Sequence, residues 1–282
     1  MIQLSDLDTI VKMPKIMGVL NVTPDSFHAG SRVQSVDAAV RSAEAMVAAG
    51  ATILDIGGEA TNPQLDVTVS QVSVDEECNR VIPVVEKLRA HVDVDISVDT
   101  SKPEVMKAAV AAGATMINDQ RALLRPGALE AAAQLAVPVC LMHMYGLHLR
   151  EPNSQPYQNT LDEVKIFLQT RAEACVAMGI APDSIIIDPG FGHGNYGKST
   201  EENLYLINHI DQFVELGFSV MLGVSRKTTI GDVLQVPAAE RLSGSLGLHV
   251  LAALRGVNII RAHDVLETVQ AVRMALSALA IR

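Results

Sequence analysis

A helix-like run, a glycine and then an apolar run recur along this chain, and that rhythm constrains its fold more than any other feature. Ala48-Ala49-Gly50-Ala51-Thr52-Ile53-Leu54-Asp55 is echoed by Ala111-Ala112-Gly113-Ala114-Thr115-Met116-Ile117-Asn118. Weaker echoes are Met178-Gly179-Ile180, Leu216-Gly217-Phe218 and Arg255-Gly256-Val257. A glycine just past a helix supplies the left-handed residue that ends it. The apolar run after it reads as a parallel strand covered on both faces, which need not alternate in polarity. The two strong copies lie 63 positions apart, from Ala48 to Ala111. That is about two βα units of roughly 31 residues, the interval of an eightfold barrel of about 250 residues.

The rhythm places strands at 16–20, 52–56, 95–98, 116–117, 137–142, 184–187, 219–223 and 258–261. Helical patterns fall between them at 36–49, 74–90, 103–112, 161–178 and 201–216, and the tail 265–280 reads as the eighth helix. The expected fold is therefore a single (β/α)₈ TIM barrel. With no linker and no break in composition, residues 1–282 read as one domain with a lead-in over 1–14. An open doubly wound sheet has the same alternation, but no Gly-rich dinucleotide fingerprint follows the first strand.

Charge and cysteine usage bound the function. The 282 residues carry a net charge of −10, which argues against nucleic acid as partner. A phosphate ligand stays open, because a local cluster of cations can oppose the global field. The three cysteines form no CxxC pair; this suits a reducing compartment, with Cys140 read as a small core hydrophobe. Residues 1–15 lack the pattern of a signal peptide, and no apolar run approaches the roughly 18 residues of a membrane span. A cytoplasmic protein with no membrane partner is expected.

What stands at the strand ends is more telling. In order these are Asn21, Asp55 with Glu59, Asp99, Asn118 with Asp119, His143, Asp188, Ser225-Arg226-Lys227, and Arg261 with His263. An Asp after a strand also serves as a helix N-cap. In a barrel, however, all eight ends share the face on which active sites are built. Asp99, Asn118 and Asp188 can read a flat heterocycle rich in donors and acceptors. Lys227, Arg261 and His263 can hold an anionic group such as a pyrophosphate.

Asn21-Val22-Thr23-Pro24-Asp25-Ser26-Phe27 resembles the first signature loop of the dihydropteroate synthases. Asp55-Ile56-Gly57-Gly58-Glu59, Ser97-Val98-Asp99-Thr100, Ile117-Asn118-Asp119, Leu141-Met142-His143-Met144, Asp188-Pro189-Gly190-Phe191-Gly192, Gly223-Val224-Ser225-Arg226-Lys227 and Ile260-Arg261-Ala262-His263-Asp264 follow in the family's order. The resemblance runs from Ile16 to about Val265 and implies a folate-pathway enzyme that joins 6-hydroxymethyl-7,8-dihydropterin pyrophosphate to p-aminobenzoate. It further implies that Asp99, Asn118, Asp188 and Lys227 form the pterin pocket, and that Ser225 also binds substrate. Arg261 and His263 would grip the leaving pyrophosphate, and Asn21 would help hold an accompanying Mg²⁺. Thr61 would lie near the aminobenzoate and pyrophosphate, and Phe27, Pro63 and Phe191 would wall the aminobenzoate slot. Asp99, Lys227, Arg261 and His263 would be catalytic. Pyrophosphate would leave first, and a weakly basic arylamine needs no strong general base. The family is usually homodimeric, so a homodimer is implied.

Two loops depart from the family pattern. Asn62 stands where the family usually has arginine, and Ala29 where it commonly has aspartate. His28 or Arg32 can compensate. Gly192-His193-Gly194 replaces a commoner aromatic pattern, and His193 reads as an exposed loop residue rather than a catalytic one. Two other functions fit the same barrel. One is a methyltetrahydrofolate methyltransferase serving a corrinoid partner, against which Lys227, Arg261, His263 and the Asn21–Phe27 loop argue. The other is a non-catalytic pterin-binding paralogue, which Asn62 and Ala29 keep open.

Overall fold

The computed structural model describes residues 12–22, 32–59, 72–144, 157–193 and 196–281. Its eight strands are β1 (Lys15–Asn21), β2 (Ile53–Gly57), β3 (Asp95–Asp99), β4 (Met116–Asp119), β5 (Val139–Met142), β6 (Ile185–Asp188), β7 (Ser219–Leu222) and β8 (Ile259–Ala262). Each is parallel to its neighbour, and β8 returns to β1 to close the barrel. Closure rules out the open doubly wound sheet.

Around the strands lie α1 (Arg32–Ala48), α2 (Val74–Arg89), α3 (Pro103–Ala111), α4 (Ala128–Leu135), α5 (Thr160–Ala177), α6 (Thr200–Asn208), α7 (Asp211–Val214), α8 (Thr228–Leu234), α9 (Leu242–Leu254) and α10 (Val265–Ala280). The single helix expected over 201–216 is two, because the backbone turns at His209, whose ring Nδ1 binds the Tyr205 carbonyl at 2.8 Å. Helices α4, α8 and α9 were not expected. None has a side-chain cap, and α4 runs between left-handed Gly127 and Ala136, so no boundary residue announces it. Strand β5 begins at Val139 rather than 137 because Pro138 has no N–H to donate; only its carbonyl joins the ladder, accepting from the Ile117 N–H at 2.9 Å.

Although the strands read as unbroken apolar runs, successive residues have different destinations. Leu54, Ile56, Ile96, Val98, Ile117, Leu141, Ile187 and Ile260 join the large core between sheet and helices. Met17, Ile53, Met116, Cys140, Ile186, Met221 and Ile259 form a separate plug inside the barrel. Two residues further along β2, β4, β6 and β8, on the same inward face, stand Asp55, Asn118, Asp188 and Arg261. Two residues of strand rise about 6.6 Å, so the polar set is the layer resting directly on the plug. All cysteines are free, and Cys140 belongs to that plug, as read from sequence. Among the described residues, no helix is long and apolar enough to cross a membrane.

Candidate active site

One sector of the mouth is built around Arg261. Its Nε donates to Asp55 Oδ2 at 2.7 Å, and a terminal nitrogen meets Asp99 Oδ2 at 3.3 Å. Asn118 Nδ2 donates to the same Asp55 oxygen at 3.0 Å, and Gln120 Nε2 reaches both Asp99 oxygens at 3.1 and 2.8 Å. Asp55 is 0% exposed, so its charge depends on these partners. Burial, and then the Asp55 charge, push the Asp99 carboxyl above its ordinary range, while Arg261 and Gln120 pull it back. Burial works against the Arg261 charge, but the two carboxylates outweigh it and hold the guanidinium protonated. Gly57 closes this sector: a Cβ there would meet Asn21 Oδ1 at 3.6 Å and the Asp99 Cβ at 3.8 Å.

The other sector joins the ends of β5, β6 and β7. Asp188 is buried, its Oδ1 accepts from the Gly190 N–H at 2.8 Å, and burial raises its pKa against the pull of Lys227. The Lys227 ammonium donates to the Phe191 carbonyl and lies 4.5 Å from the centre of the Tyr196 ring. Burial lowers its pKa to about 8, although Asp188 favours its charge. Lys198 Nζ sits behind them, bonded to His143 Nδ1 at 3.0 Å, the Gly190 carbonyl at 2.8 Å and the Tyr196 carbonyl at 3.2 Å.

At the rim, Ser225 Oγ contacts His263 twice, at its backbone N (3.2 Å) and at Nδ1 (3.1 Å). Crowding in the mouth, and then the Arg261 charge, push the His263 imidazole below its ordinary pKa, so it stands neutral near pH 7. Arg226 makes a two-pronged pair with Asp264 at 2.8 and 2.7 Å, and Ser245 Oγ accepts its backbone N–H at 2.9 Å. Arg226 thus fastens the turn that carries Ser225 and Lys227, and its own charge is spent there.

The structure brings together Asn21, Asp99, Asn118, Asp188, Ser225, Lys227, Arg261 and His263 at one end of the barrel. Phe191 differs from expectation: its ring is 2% exposed and packed in the outer core, and it is its carbonyl that Lys227 meets. His193, read as an exposed loop residue, is half-buried and anchored, with Nε2 3.1 Å from Thr200 Oγ1 and 3.5 Å from Asp232 Oδ2. Phe27, Thr61, Pro63, His28, Ala29, Asn62 and the Arg32 side chain lie outside the described residues.

Sequence reasoning missed Gln120, Lys198 and the buried cluster in which Lys102 pairs with Glu77 and, at 2.8 Å, with Glu59. Gln120 follows a strand end directly and was within reach of that signal. Lys198 lies ten positions beyond Asp188 in an irregular loop, and Lys102 precedes a helix, so spacing marks neither. Among the described residues no group of three or more His, Cys, Asp or Glu is placed to hold a metal ion.

A closed parallel barrel with a paired, buried ionic layer at its C-terminal mouth defines a (β/α)₈-barrel enzyme. The pterin binding enzyme family matches residues 17–263. The dihydropteroate synthase of Escherichia coli (strain K12) is 45% identical over 269 residues, covering 95% of this chain and 93% of its own. The Xanthomonas albilineans dihydropteroate synthase with 4-aminobenzoic acid superposes with a TM-score of 0.87 at 45% identity, covering 96% of this chain and 95% of its own. The same enzyme in complex with 7,8-dihydropteroate gives a TM-score of 0.84 at 45% identity, with the same coverage. The chain belongs to the pterin-binding enzyme family, among the dihydropteroate synthases.

Proposed function

We propose that this enzyme condenses 6-hydroxymethyl-7,8-dihydropterin pyrophosphate with p-aminobenzoate, releasing pyrophosphate and 7,8-dihydropteroate. The observation that carries this reading is the convergence of Asp99, Asn118, Asp188 and Arg261 at the ends of β3, β4, β6 and β8, with Lys227 on the turn after β7, in a chain 45% identical to the Escherichia coli dihydropteroate synthase along nearly its whole length.

The pterin binds between the two sectors. Asp188 Oδ1 is held by Gly190, leaving its other oxygen to accept an N–H from the heterocycle. Lys227, fixed by the Phe191 carbonyl, orients the ring. As pyrophosphate leaves, positive charge on the pterin favours the ionised form of Asp99, whose carboxylate then opposes it. Arg261 commits Nε and one terminal nitrogen to carboxylates, so its remaining terminal nitrogen serves the departing phosphate. His263, neutral in the free enzyme, gains a proton more readily once a polyanion is beside it.

Mg²⁺ is part of this reading. The Asn21 amide oxygen above Gly57 is a hard donor of the right class, and no all-protein cage competes with it among the described residues. When bound, the ion would neutralise charge on the pyrophosphate oxygens. We also place the enzyme in the cytoplasm, as its free thiols suit. Exposed Val233, Leu254, Leu266 and Met274 on α8, α9 and α10 favour assembly as a homodimer.

The test is pyrophosphate release from purified enzyme, with and without Mg²⁺ and with each substrate omitted. Release that needs both substrates is expected. Tight pterin binding with no turnover would overturn the catalytic assignment.

A further inference from the structure

Lys198 is a buried ammonium that no strand end predicts and no step above uses. It is 3% exposed, yet all three of its protons have acceptors: His143 Nδ1, the Gly190 carbonyl and the Tyr196 carbonyl. Three acceptors converging on one point suit a tetrahedral ammonium and do not suit the planar fork of arginine.

These bonds are links in a closed circuit. The His143 backbone N–H donates to the Asp188 carbonyl at 2.8 Å, tying the end of β5 to the end of β6. The His143 ring accepts from Lys198, Lys198 donates to the Gly190 carbonyl, and the Gly190 N–H returns to Asp188 Oδ1 at 2.8 Å. Gly190 fits there only because it has no side chain: at φ +71°, a Cβ would lie 1.8 Å from the His143 carbonyl oxygen. The next residue, Phe191, offers the carbonyl that holds Lys227. Both groups placed against the pterin therefore rest on one loop, and Lys198 grips that loop from behind.

We propose that Lys198 is a positioning residue for the condensation, locking the loop after β6 so that Asp188 and Lys227 meet the pterin in fixed register. The circuit explains why an ammonium is kept in a buried place where burial pushes its pKa down to about 7, with Asp188 and Glu202 supporting its charge and Lys227 opposing it. The neighbouring His143 accepts because burial, and then Lys198 itself, keep the imidazole neutral.

The proposal rests on the pterin-condensing assignment, so wild-type turnover is measured first; its absence would sink that assignment rather than this inference. In Lys198→Met, affinity for pterin pyrophosphate should fall about tenfold or more, while the KM for p-aminobenzoate stays within about twofold. His143→Leu removes one acceptor and should give a smaller loss of the same kind. His143→Asn, whose amide oxygen can occupy the place of Nδ1, should recover most of it. Unchanged pterin affinity in both Lys198→Met and His143→Leu would overturn the proposal, as would equal losses for the two substrates. Where Lys198→Met does not fold, the His143 pair decides alone.

Discussion

The two sectors of the mouth meet opposite electrostatic problems. Around Arg261, two carboxylates, Asp55 and Asp99, share one guanidinium, and Asp99 is pushed toward protonation. Around Asp188, two ammoniums, Lys198 and Lys227, share one carboxylate, and both are pushed toward losing a proton. Burial penalises the charged form of every one of these groups, Asp188 included, and the opposite charge nearby offsets it only in part. The first sector is held by ion pairs whose removal strands a charge. In the second, donors are tied mostly to backbone carbonyls, so the loop rather than a counter-ion holds them. In the proposed reaction one barrel end thus offers a carboxylate-rich side to a ring that becomes cationic and an amine-rich side that orients it.

The largest effect should come from breaking the first sector. Arg261→Met leaves Asp55 buried without its counter-ion and should cost about 3–5 kcal/mol of stability together with nearly all turnover. Urea denaturation and the pyrophosphate assay check both. An Asp55→Asn/Arg261→Met pair should regain part of the stability and none of the activity. If Arg261→Met were as stable as wild type, the ion pairs would not hold that sector together.

Lys227→Met should behave oppositely, with turnover falling about a hundredfold while stability at pH 7 is kept or slightly raised, since a buried cation has been removed. A stability loss matching that of Arg261→Met would erase the contrast between the sectors.

The same lysine gives a pH signature. Its pKa is about 8 in the folded chain and about 10.4 when unfolded. Between those values the unfolded state holds more protons, so stability rises with pH. Wild type should therefore gain stability relative to Lys227→Met from about pH 8 to about pH 10. Denaturation curves at several pH values show the sign, and a relative loss would refute it.

Smaller effects are expected at the edges. Gln120→Leu removes the amide nitrogen that reaches both Asp99 oxygens, leaving Arg261 as partner, and should weaken pterin affinity about tenfold. His193→Ala, which cuts only the tie to Thr200 and Asp232, should change kcat/KM by about twofold or less. A loss of about a hundredfold there would return His193 to the catalytic machinery.

Much of this architecture is legible in the sequence. All eight strands lie within about two residues of their expected places, because a buried apolar run is a local signal, sharpened before β2, β4, β6, β7 and β8 by a glycine. Helices α4, α8 and α9 lack side-chain caps and went unread; α3 and α10 lack them too, but Pro103 opens the first and the second runs for 16 residues. At the site, strand-end position singled out Asp99, Asn118, Asp188, Lys227 and Arg261. It did not reveal that Phe191 turns its ring into the core, nor that Lys198 is there at all.

Sequence alone, through its repeated glycine and the polar residue closing each strand, determined an alternating run of strands and helices with a chemically furnished strand-end face, and only the pairing of β8 with β1 closed it into a barrel. Tertiary structure decided who pairs with whom. Arg261 reaches Asp55 across 206 positions only because β8 closes against β1, and Lys198 reaches His143 across 55 only because β5 and β6 are adjacent. Periodicity is a local property of the chain, whereas desolvation and charge pairing depend on everything packed around a group. The charge state of this site is therefore written in the closed barrel and not in any of its segments.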